Sequence, residues 1–271
     1  MSLLDGCHEL IDQHLNIDDS WAGQSPRYKH PTSLNHVEDN NLPDGDQLIQ
    51  ELFNQMVQNW EAGRSPANRS AENWRFERQC DFSEENRSPE VVLERTIINV
   101  VDEENWANQI PVDSGLLGGG RNLDLAFRAG AVFELIELKV EANTPLSAAF
   151  QILFYGLTNA FFRVYSQSLN TEDLETPLLR ATEIRLRVLA PKSFYERFHA
   201  QSDWLKELEN KLDKGLQKFS DNVLAETGMK ITGFRFDMFP ENFHWDQARH
   251  ADDEHRKKVL EAVHRRHPCF S

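Results

Sequence analysis

Residues 122–140 carry the feature that most limits how this chain can fold: two apolar segments separated only by Ala129-Gly130. The segments 122–128 and 131–140 are built mainly from residues that suit strands, and side chains in a strand alternate between two faces. A short connection that contains glycine is typical of an antiparallel hairpin. The sequence therefore predicts two adjacent strands joined by a tight turn.

Three charged residues interrupt the apolar pattern of this hairpin. Glu137 and Lys139 are two residues apart, so they share one face of the second strand. Asp124 lies in the first strand, where the hairpin can bring it beside Glu137. An isolated ionised group is expensive to bury without a partner or a metal. Two interpretations are open: a Glu–Lys pair on a solvated face, or a functional site. In the first strand, the face opposite to Asp124 is expected to carry Leu123, Leu125 and Phe127.

A helix is predicted before the hairpin, over residues 89 to about 101. Ser88 supplies an N-cap, Pro89 suits the first helical position, and Glu90 makes the first turn acidic. Glu94 has helical spacing from the apolar residues of the same segment. The pattern therefore places a carboxylate on the face that should meet the sheet.

A second helix is predicted after the hairpin, over about 145–165, and is opened by Asn143-Thr144-Pro145. Most of its residues are apolar, which indicates a largely buried helix. Gln151 and Tyr155 are four residues apart and so lie on one face. Asn159 continues this polar stripe.

The remaining periodic segments complete an α/β arrangement, in which a sheet of mixed strand direction is flanked by helices. An amphipathic helix is predicted at 46–62. Further strands are predicted at 184–189 and 231–238, and further helices at 193–199, 203–226 and 247–266.

The net charge of −15 is distributed unevenly. Residues 1–120 contain 8 basic and 22 acidic residues, a net charge of −14, whereas residues 121–271 contain 21 basic and 22 acidic residues, a net charge of −1. The acidic half should repel a polyanion, but the second half can still present a positive surface. The candidates for such a surface are Arg185, Arg187, Lys192 and Arg197.

Residues 1–45 are rich in polar residues and show few sustained apolar periods, as expected of a loosely ordered arm or an irregular wrapping segment. As a mobile acidic arm it would shield the protein from nucleic acid. As a packed arm it would stabilise the domain through apolar side chains, for which the candidates are Leu3, Leu4, Leu10, Ile11, Leu15 and Trp21.

The three cysteines, Cys7, Cys80 and Cys269, are odd in number and scattered. This excludes a disulfide framework and a four-thiolate zinc or iron–sulfur site, and it predicts reduced thiols in a cytoplasmic protein. No stretch resembles a signal peptide or reaches the roughly 18–20 apolar residues of a membrane helix. A soluble protein without a membrane partner is therefore expected.

Taken together, Asp124, Glu137-Leu138-Lys139 and Gln151-x-x-x-Tyr155, preceded by a helical Glu94, resemble the motifs of the PD-(D/E)XK nuclease superfamily. The resemblance covers roughly residues 88–190 and is strongest to the RecB-type and lambda-exonuclease-like members. Leu123 stands where the family often has proline, and the chain lacks the four cysteines that bind an iron–sulfur cluster in some RecB-type nucleases.

The resemblance implies a restriction-endonuclease-like core of order α-β-β-β-α-β and a hydrolase that cleaves nucleic acid, with DNA expected. Asp124, Glu137 and the backbone carbonyl of Leu138 would bind Mg²⁺ or Mn²⁺, hard cations that prefer oxygen ligands. Glu94 would contact the metal or a water molecule on it. Lys139 would orient or help to deprotonate the attacking water, and Gln151 with Tyr155 would position Lys139, the water or a substrate phosphate.

Three regions are expected along the chain: an acidic N-terminal extension at 1–87, the nuclease-like domain at 88–240 and a helical tail at 241–271. Two other functions remain open. One is a catalytically inactive protein of the same fold that binds nucleic acid or protein. The other is an acidic interaction protein in which Asp124 and Glu137 are ordinary surface groups.

Overall fold

The computed structural model describes residues 2–18, 25–37, 42–63, 73–82, 88–102, 104–112, 121–171, 176–199 and 203–270. The helices are α1 (Cys7–His14), α2 (Gly45–Gly63), α3 (Pro89–Val100), α4 (Pro145–Val164), α5 (Lys192–His199), α6 (Trp204–Val223) and α7 (Asp253–His264). The strands are β1 (Trp106–Pro111), β2 (Asn122–Ala129), β3 (Val132–Leu138), β4 (Glu183–Ala190), β5 (Lys230–Met238) and β6 (His267–Pro268).

The strands form one mixed sheet in the order β1-β2-β3-β4-β5-β6. β1, β2 and β3 are antiparallel neighbours, β3, β4 and β5 run parallel, and β6 returns antiparallel. Helices flank this open sheet, so the predicted α/β class with a mixed sheet is confirmed. In the described residues, no helix is long and apolar enough to cross a membrane.

The predicted hairpin is present as β2 and β3, joined by Gly130-Ala131, with Gly130 in the left-handed region at φ 66°. One face of the hairpin packs with α4, and the other packs with α3 and α7. The expected grouping of Leu123 with Leu125 is wrong. Leu123 joins the core on the α4 side, whereas Leu125 joins the core beside α3. The alternation fails next to Gln109, whose left-handed φ of 48° interrupts the β1–β2 pairing.

Both helix starts that were predicted from capping residues are confirmed. The Ser88 side chain accepts a hydrogen bond from the backbone N–H of Val91 at 3.3 Å, at the start of α3. The Thr144 hydroxyl accepts one from the N–H of Ser147 at 3.0 Å, at the start of α4. Each cap is followed by proline at the first helical position, where its missing N–H costs nothing.

The structure corrects the C-terminal helix and adds elements that the sequence pattern did not indicate. The helix predicted at 247–266 begins only at Asp253, because the Asp252 side chain caps it through the N–H of His255. A short 3-10 turn at Gln247–Arg249 precedes it. Among the described residues, α1, β1 and β6 are also additional to the prediction.

The described part of the N-terminal arm packs into the main core. Leu3, Leu4, Ile11 and Leu15 are buried, and Leu10 packs against the same cluster. Trp21, the remaining candidate, lies outside the described residues. Of the two possibilities for the arm, the packed one is therefore what the structure shows for residues 2–18.

The buried carboxylate of Asp12 fixes the next part of the arm. It accepts hydrogen bonds from the N–H of Tyr28 at 2.8 Å, the N–H of Arg27 at 3.0 Å and the hydroxyl of Ser25 at 2.8 Å. Three donors satisfy one buried acid, which is what allows it to remain in the interior.

We predict that Asp12→Ala lowers the free energy of unfolding by about 2–4 kcal/mol, because it leaves two buried backbone N–H groups without an acceptor. The measurement is chemical denaturation. Glu9→Ala, which changes an exposed acid on the same helix, is the matched control and should change stability by about 0.5 kcal/mol or less. Equal effects of the two substitutions would contradict the structural role of Asp12.

Two carboxylates of α6 cover the outer side of β5. Asp213 accepts a hydrogen bond from the N–H of Phe234 at 3.1 Å, and Glu209 accepts one from the N–H of Phe236 at 2.7 Å. These contacts satisfy backbone donors that a further strand would otherwise have to meet. Burial, with Asp237 and Asp213 nearby, raises the pKa of Glu209 to about 7.

We predict that Glu209 makes the stability of the protein fall as pH rises from about 4.5 to 7. Its pKa is higher in the folded than in the unfolded state, so the folded state binds more protons in this window. Glu209→Gln should remove this part of the pH dependence, because the neutral amide still accepts from Phe236. Thermal melts at several pH values test this, and parallel profiles for the two proteins would contradict it.

Candidate active site

The hairpin brings Asp124 and Glu137 together. Leu125 pairs with Ile136, so Asp124 and Glu137 occupy the next positions along the same two strands. The Asp124 carboxylate accepts a hydrogen bond from the N–H of Leu138 at 2.9 Å. This contact ties the acid of one strand to the backbone of the other, immediately beside the Glu137 side chain.

Lys139 lies at the end of the same strand. Its side chain is 7% exposed, and its amine donates a hydrogen bond to Oε1 of Glu137, whose side chain is fully buried. The Lys139 N–H donates to the carbonyl of Leu189 at 2.9 Å, which fixes the backbone against β4. The second oxygen of Glu137, Oε2, is buried and has no hydrogen-bond partner among the described residues.

The pKa values of this group show an excess of buried negative charge. Burial, and after it the neighbouring Asp124, raises the pKa of Glu137 to about 8. Burial also raises the pKa of Asp124. Burial alone would lower the pKa of Lys139, but Glu137 and Asp124 outweigh it and raise this pKa. Two acids therefore share one ammonium, and the site stabilises an additional proton or cation.

Glu94 joins the site from α3, on the side of the helix that faces the sheet. Its carboxylate accepts hydrogen bonds from the side-chain amides of Asn108, at 2.6 Å, and Gln109. Burial and then the charge of Asp124 raise the pKa of Glu94 to about 8. The helix therefore brings a third carboxyl group within electrostatic reach of Asp124.

Gln151 and Tyr155 approach the site from α4. The Gln151 amide donates to the Tyr155 hydroxyl at 3.2 Å, and this hydroxyl donates to the carbonyl of Asn122 at 3.1 Å. Burial raises the pKa of Tyr155, and the charges of Glu137 and Asp124 raise it further. The structure thus brings all six candidate side chains to one region between α3, the hairpin and α4. Asn159, which continues the polar stripe of α4, is not part of this group and lies near Leu178 instead.

Three polar residues of the site were not among the sequence candidates. Asn108 and Gln109 lie on β1, which the sequence pattern did not indicate. Glu90 accepts hydrogen bonds from three consecutive N–H groups, those of residues 140–142, at 3.4, 3.3 and 3.0 Å. In the sequence it is visible only as an acidic first-turn residue. In the structure it fixes the backbone that follows Lys139.

Each of the four candidates for a positive surface in the second half of the chain has a partner within the protein. Arg187 is buried, with its Nε 3.7 Å from Glu134 and 3.5 Å from Asp237. The other three also have partners: Arg185 with Glu183, Lys192 with Glu241 and Glu196, and Arg197 with the carbonyl of Glu141. Arg187 is therefore an internal charge, whereas the side chains of Arg185 and Lys192 are 42% and 40% exposed.

The donor set of the site is suited to a hard cation. The unpartnered Oε2 of Glu137 lies beside Asp124, and carboxylate oxygens are the preferred ligands of Mg²⁺ and Mn²⁺. Within the part of the chain that the structure describes, no three His, Cys, Asp or Glu side chains are grouped as a complete metal-binding cluster. A cation here would thus also use backbone or water oxygens.

Comparisons with known proteins add no relative to this picture. No protein-family model, no curated protein and no solved structure matches the chain.

Proposed function

We propose that this protein is a metal-dependent nuclease of the PD-(D/E)XK type, which hydrolyses phosphodiester bonds. The proposed substrate is DNA. The order α3-β1-β2-β3-α4-β4 follows the α-β-β-β-α-β order of a restriction-endonuclease-like core, and this fold is part of the proposal. A shared element order is supporting information only, because function depends on the site.

The observation that carries the proposal is the convergence of Asp124, Glu137 and Lys139 at one end of a buried hairpin. A structural ion pair would need only one acid for the one lysine. Here a second acid is held beside the pair, and one oxygen of Glu137 has no donor among the described residues. Such an arrangement is costly for folding alone, whereas a divalent cation would balance it.

Asp124 and Glu137 would hold Mg²⁺ or Mn²⁺, with the Leu138 carbonyl and Glu94 as further oxygen donors. When bound, the cation would polarise the scissile phosphate and stabilise the charge that develops on its oxygens. Glu94 is already held by Asn108 and Gln109, and its carboxylate is near enough to Asp124 for the two charges to interact.

Lys139 would act on the attacking water as a donor. Its pKa is raised by Glu137 and Asp124, so the amine stays protonated at neutral pH. A protonated amine orients water and stabilises the hydroxide that forms, while the proton passes to another acceptor. Glu137 accepts a hydrogen bond from Lys139 and would hold the amine in this position, and solvent would take the proton.

Gln151 and Tyr155 would have different roles. Tyr155 is buried and donates to the Asn122 carbonyl, so it supports β2 two residues before Asp124. Gln151 is only partly buried and is therefore the member of the pair that can contact a substrate phosphate. Glu90 would act through the backbone of 140–142 and hold Lys139 in position.

We predict that Lys139→Ala reduces cleavage by about 10²–10⁴-fold while metal binding is largely retained, because the amine is not a ligand. Asp124→Ala should lose both. The measurement is incubation of labelled single- and double-stranded DNA and RNA with the protein in Mg²⁺, in Mn²⁺ or in EDTA.

Lys214→Ala, which changes an exposed lysine of α6, is the matched control and should cleave like wild type. Wild-type cutting by Lys139→Ala would refute the assigned mechanism. Binding of nucleic acid without any metal-dependent cleavage would instead favour the inactive nuclease-fold protein, and absence of both would favour the acidic interaction protein.

We also predict that Mg²⁺ or Mn²⁺ raises the melting temperature of the wild-type protein, because a ligand that binds only the folded state stabilises it. At 100 times the dissociation constant the gain is about 2.7 kcal/mol. The gain should vanish in Asp124→Ala but persist in Lys139→Ala. Thermal melts over a metal titration measure it, and an identical shift in Asp124→Ala would place the metal elsewhere.

A further inference from the structure

Strand β1 is irregular at Gln109, the position opposite Asp124. The residues on either side of Gln109 pair with Leu123 and Leu125, but Gln109 and Asp124 are not paired with each other. Gln109 has a φ of 48°, in the left-handed region that residues with a side chain rarely adopt. A bulge of this kind changes the direction of a side chain, and strained backbone is common next to functional sites. The bulge therefore gives Gln109 a direction that a regular strand would not.

The amide of Gln109 joins α3 to β2. Its Nε2 donates a hydrogen bond to Oε2 of Glu94, and its Oε1 accepts one from Nδ2 of Asn122 at 3.2 Å. The two contacts use both ends of the amide, so the neighbours on either side determine its orientation. Gln109 itself is only partly buried. Its side chain thus lies between Glu94 and the strand that carries Asp124.

The contact with Gln109 completes the support of Glu94. Oε1 of Glu94 accepts a hydrogen bond from the side-chain amide of Asn108 at 2.6 Å, and Oε2 accepts the one from Gln109. A donor on each oxygen fixes both the plane and the position of the carboxylate. Asn108 is buried, and its side chain also bonds to the backbone of Gln79 on both sides. Asn108 therefore belongs to the framework around β1, whereas Gln109 connects Glu94 with β2.

We propose that Gln109 is a positioning residue, which holds Glu94 in place to bind the divalent cation together with Asp124. This inference rests on the proposed nuclease function. Ligands of a metal are usually oriented by hydrogen bonds from the residues behind them, and loss of such a partner weakens metal binding by about 10–100-fold. The left-handed bulge is then the means by which β1 places an amide opposite Asp124 and within reach of α3.

The test measures metal binding separately from cleavage. Isothermal titration calorimetry gives the dissociation constant of Mn²⁺ without nucleic acid, and cleavage of labelled DNA over a Mn²⁺ titration gives the half-maximal concentration. Gln109→Leu, which nearly keeps the size of the side chain but loses the amide, should raise both values by about 10–100-fold. Cleavage at saturating Mn²⁺ should recover, because Asp124, Glu137 and Lys139 are unchanged.

Two further variants separate positioning from a structural role. Gln109→Asn suits the left-handed backbone better but carries an amide one methylene shorter. It should melt no lower than wild type and still bind Mn²⁺ about 10–100-fold more weakly. Asn99→Leu is the matched control, because Asn99 is a partly buried amide of α3 that donates to the carbonyls of Cys80 at 2.9 Å and Arg95 at 2.8 Å. It should lower the melting temperature and leave Mn²⁺ binding unchanged.

If wild type binds Mn²⁺ and cleaves DNA but both Gln109 variants have the wild-type dissociation constant, the positioning role is refuted and the proposed function stands. An equal loss of Mn²⁺ affinity in Asn99→Leu would show that binding follows stability and would also refute the positioning role. If wild type binds Mn²⁺ without cleaving nucleic acid, the nuclease function fails, and weaker binding by the Gln109 variants still supports the positioning role. If wild type neither binds Mn²⁺ nor cleaves, both proposals fail together.

Discussion

Glu137 and Lys139 form a buried ion pair at the end of a strand, beside a second carboxylate that has no lysine of its own. Removing charges from water costs several kcal/mol per ion, and one lysine cannot offset two acids. Neighbouring backbone groups partly offset this shortage of positive charge. The N–H of Leu138 binds Asp124, and the β4 backbone holds Lys139 in place. Because of this pair, the hairpin, α3 and α4 all have to supply polar groups to the site.

The flanking helices supply polar groups at the points where their apolar faces meet the hairpin. α3 presents Glu94 to the side chains of β1, and α4 presents Tyr155 to the backbone of β2. The first contact joins consecutive elements, and the second joins residues 33 positions apart. A site built in this way is held on regular secondary structure, which keeps catalytic groups more rigid than loops do.

The fold and the site could be predicted from the sequence where one residue type dictates one local structure. Ser88-Pro89 and Thr144-Pro145 marked the helix starts, and the glycine turn with its two apolar segments marked the hairpin. The register then followed from alternation, which is why Asp124, Glu137 and Lys139 could be grouped in advance. Gln151 and Tyr155 were grouped by helical spacing.

The structure could not be predicted from the sequence where it depends on contacts between residues that are distant in the chain. β1 contains Asn108, Gln109 and Pro111, residues that are uncommon in strands, and tertiary pairing with β2 overrides their propensity. The arm has little periodicity, yet the donors to Asp12 hold it in place. The burial of Arg187 could not be predicted, because its partners Glu134 and Asp237 come from two other strands.

The packing of Tyr28 on Phe150 has a consequence for how the molecule is made. The arm emerges from the ribosome well before α4, so the contact that fixes it closes a loop of more than a hundred residues. Such long-range closure is slow compared with local helix formation. Until then, buried residues such as Leu3 and Ile11 are exposed on the nascent chain, and the arm is open to chaperones or to premature association. The arm is therefore fixed only after α4 has been made.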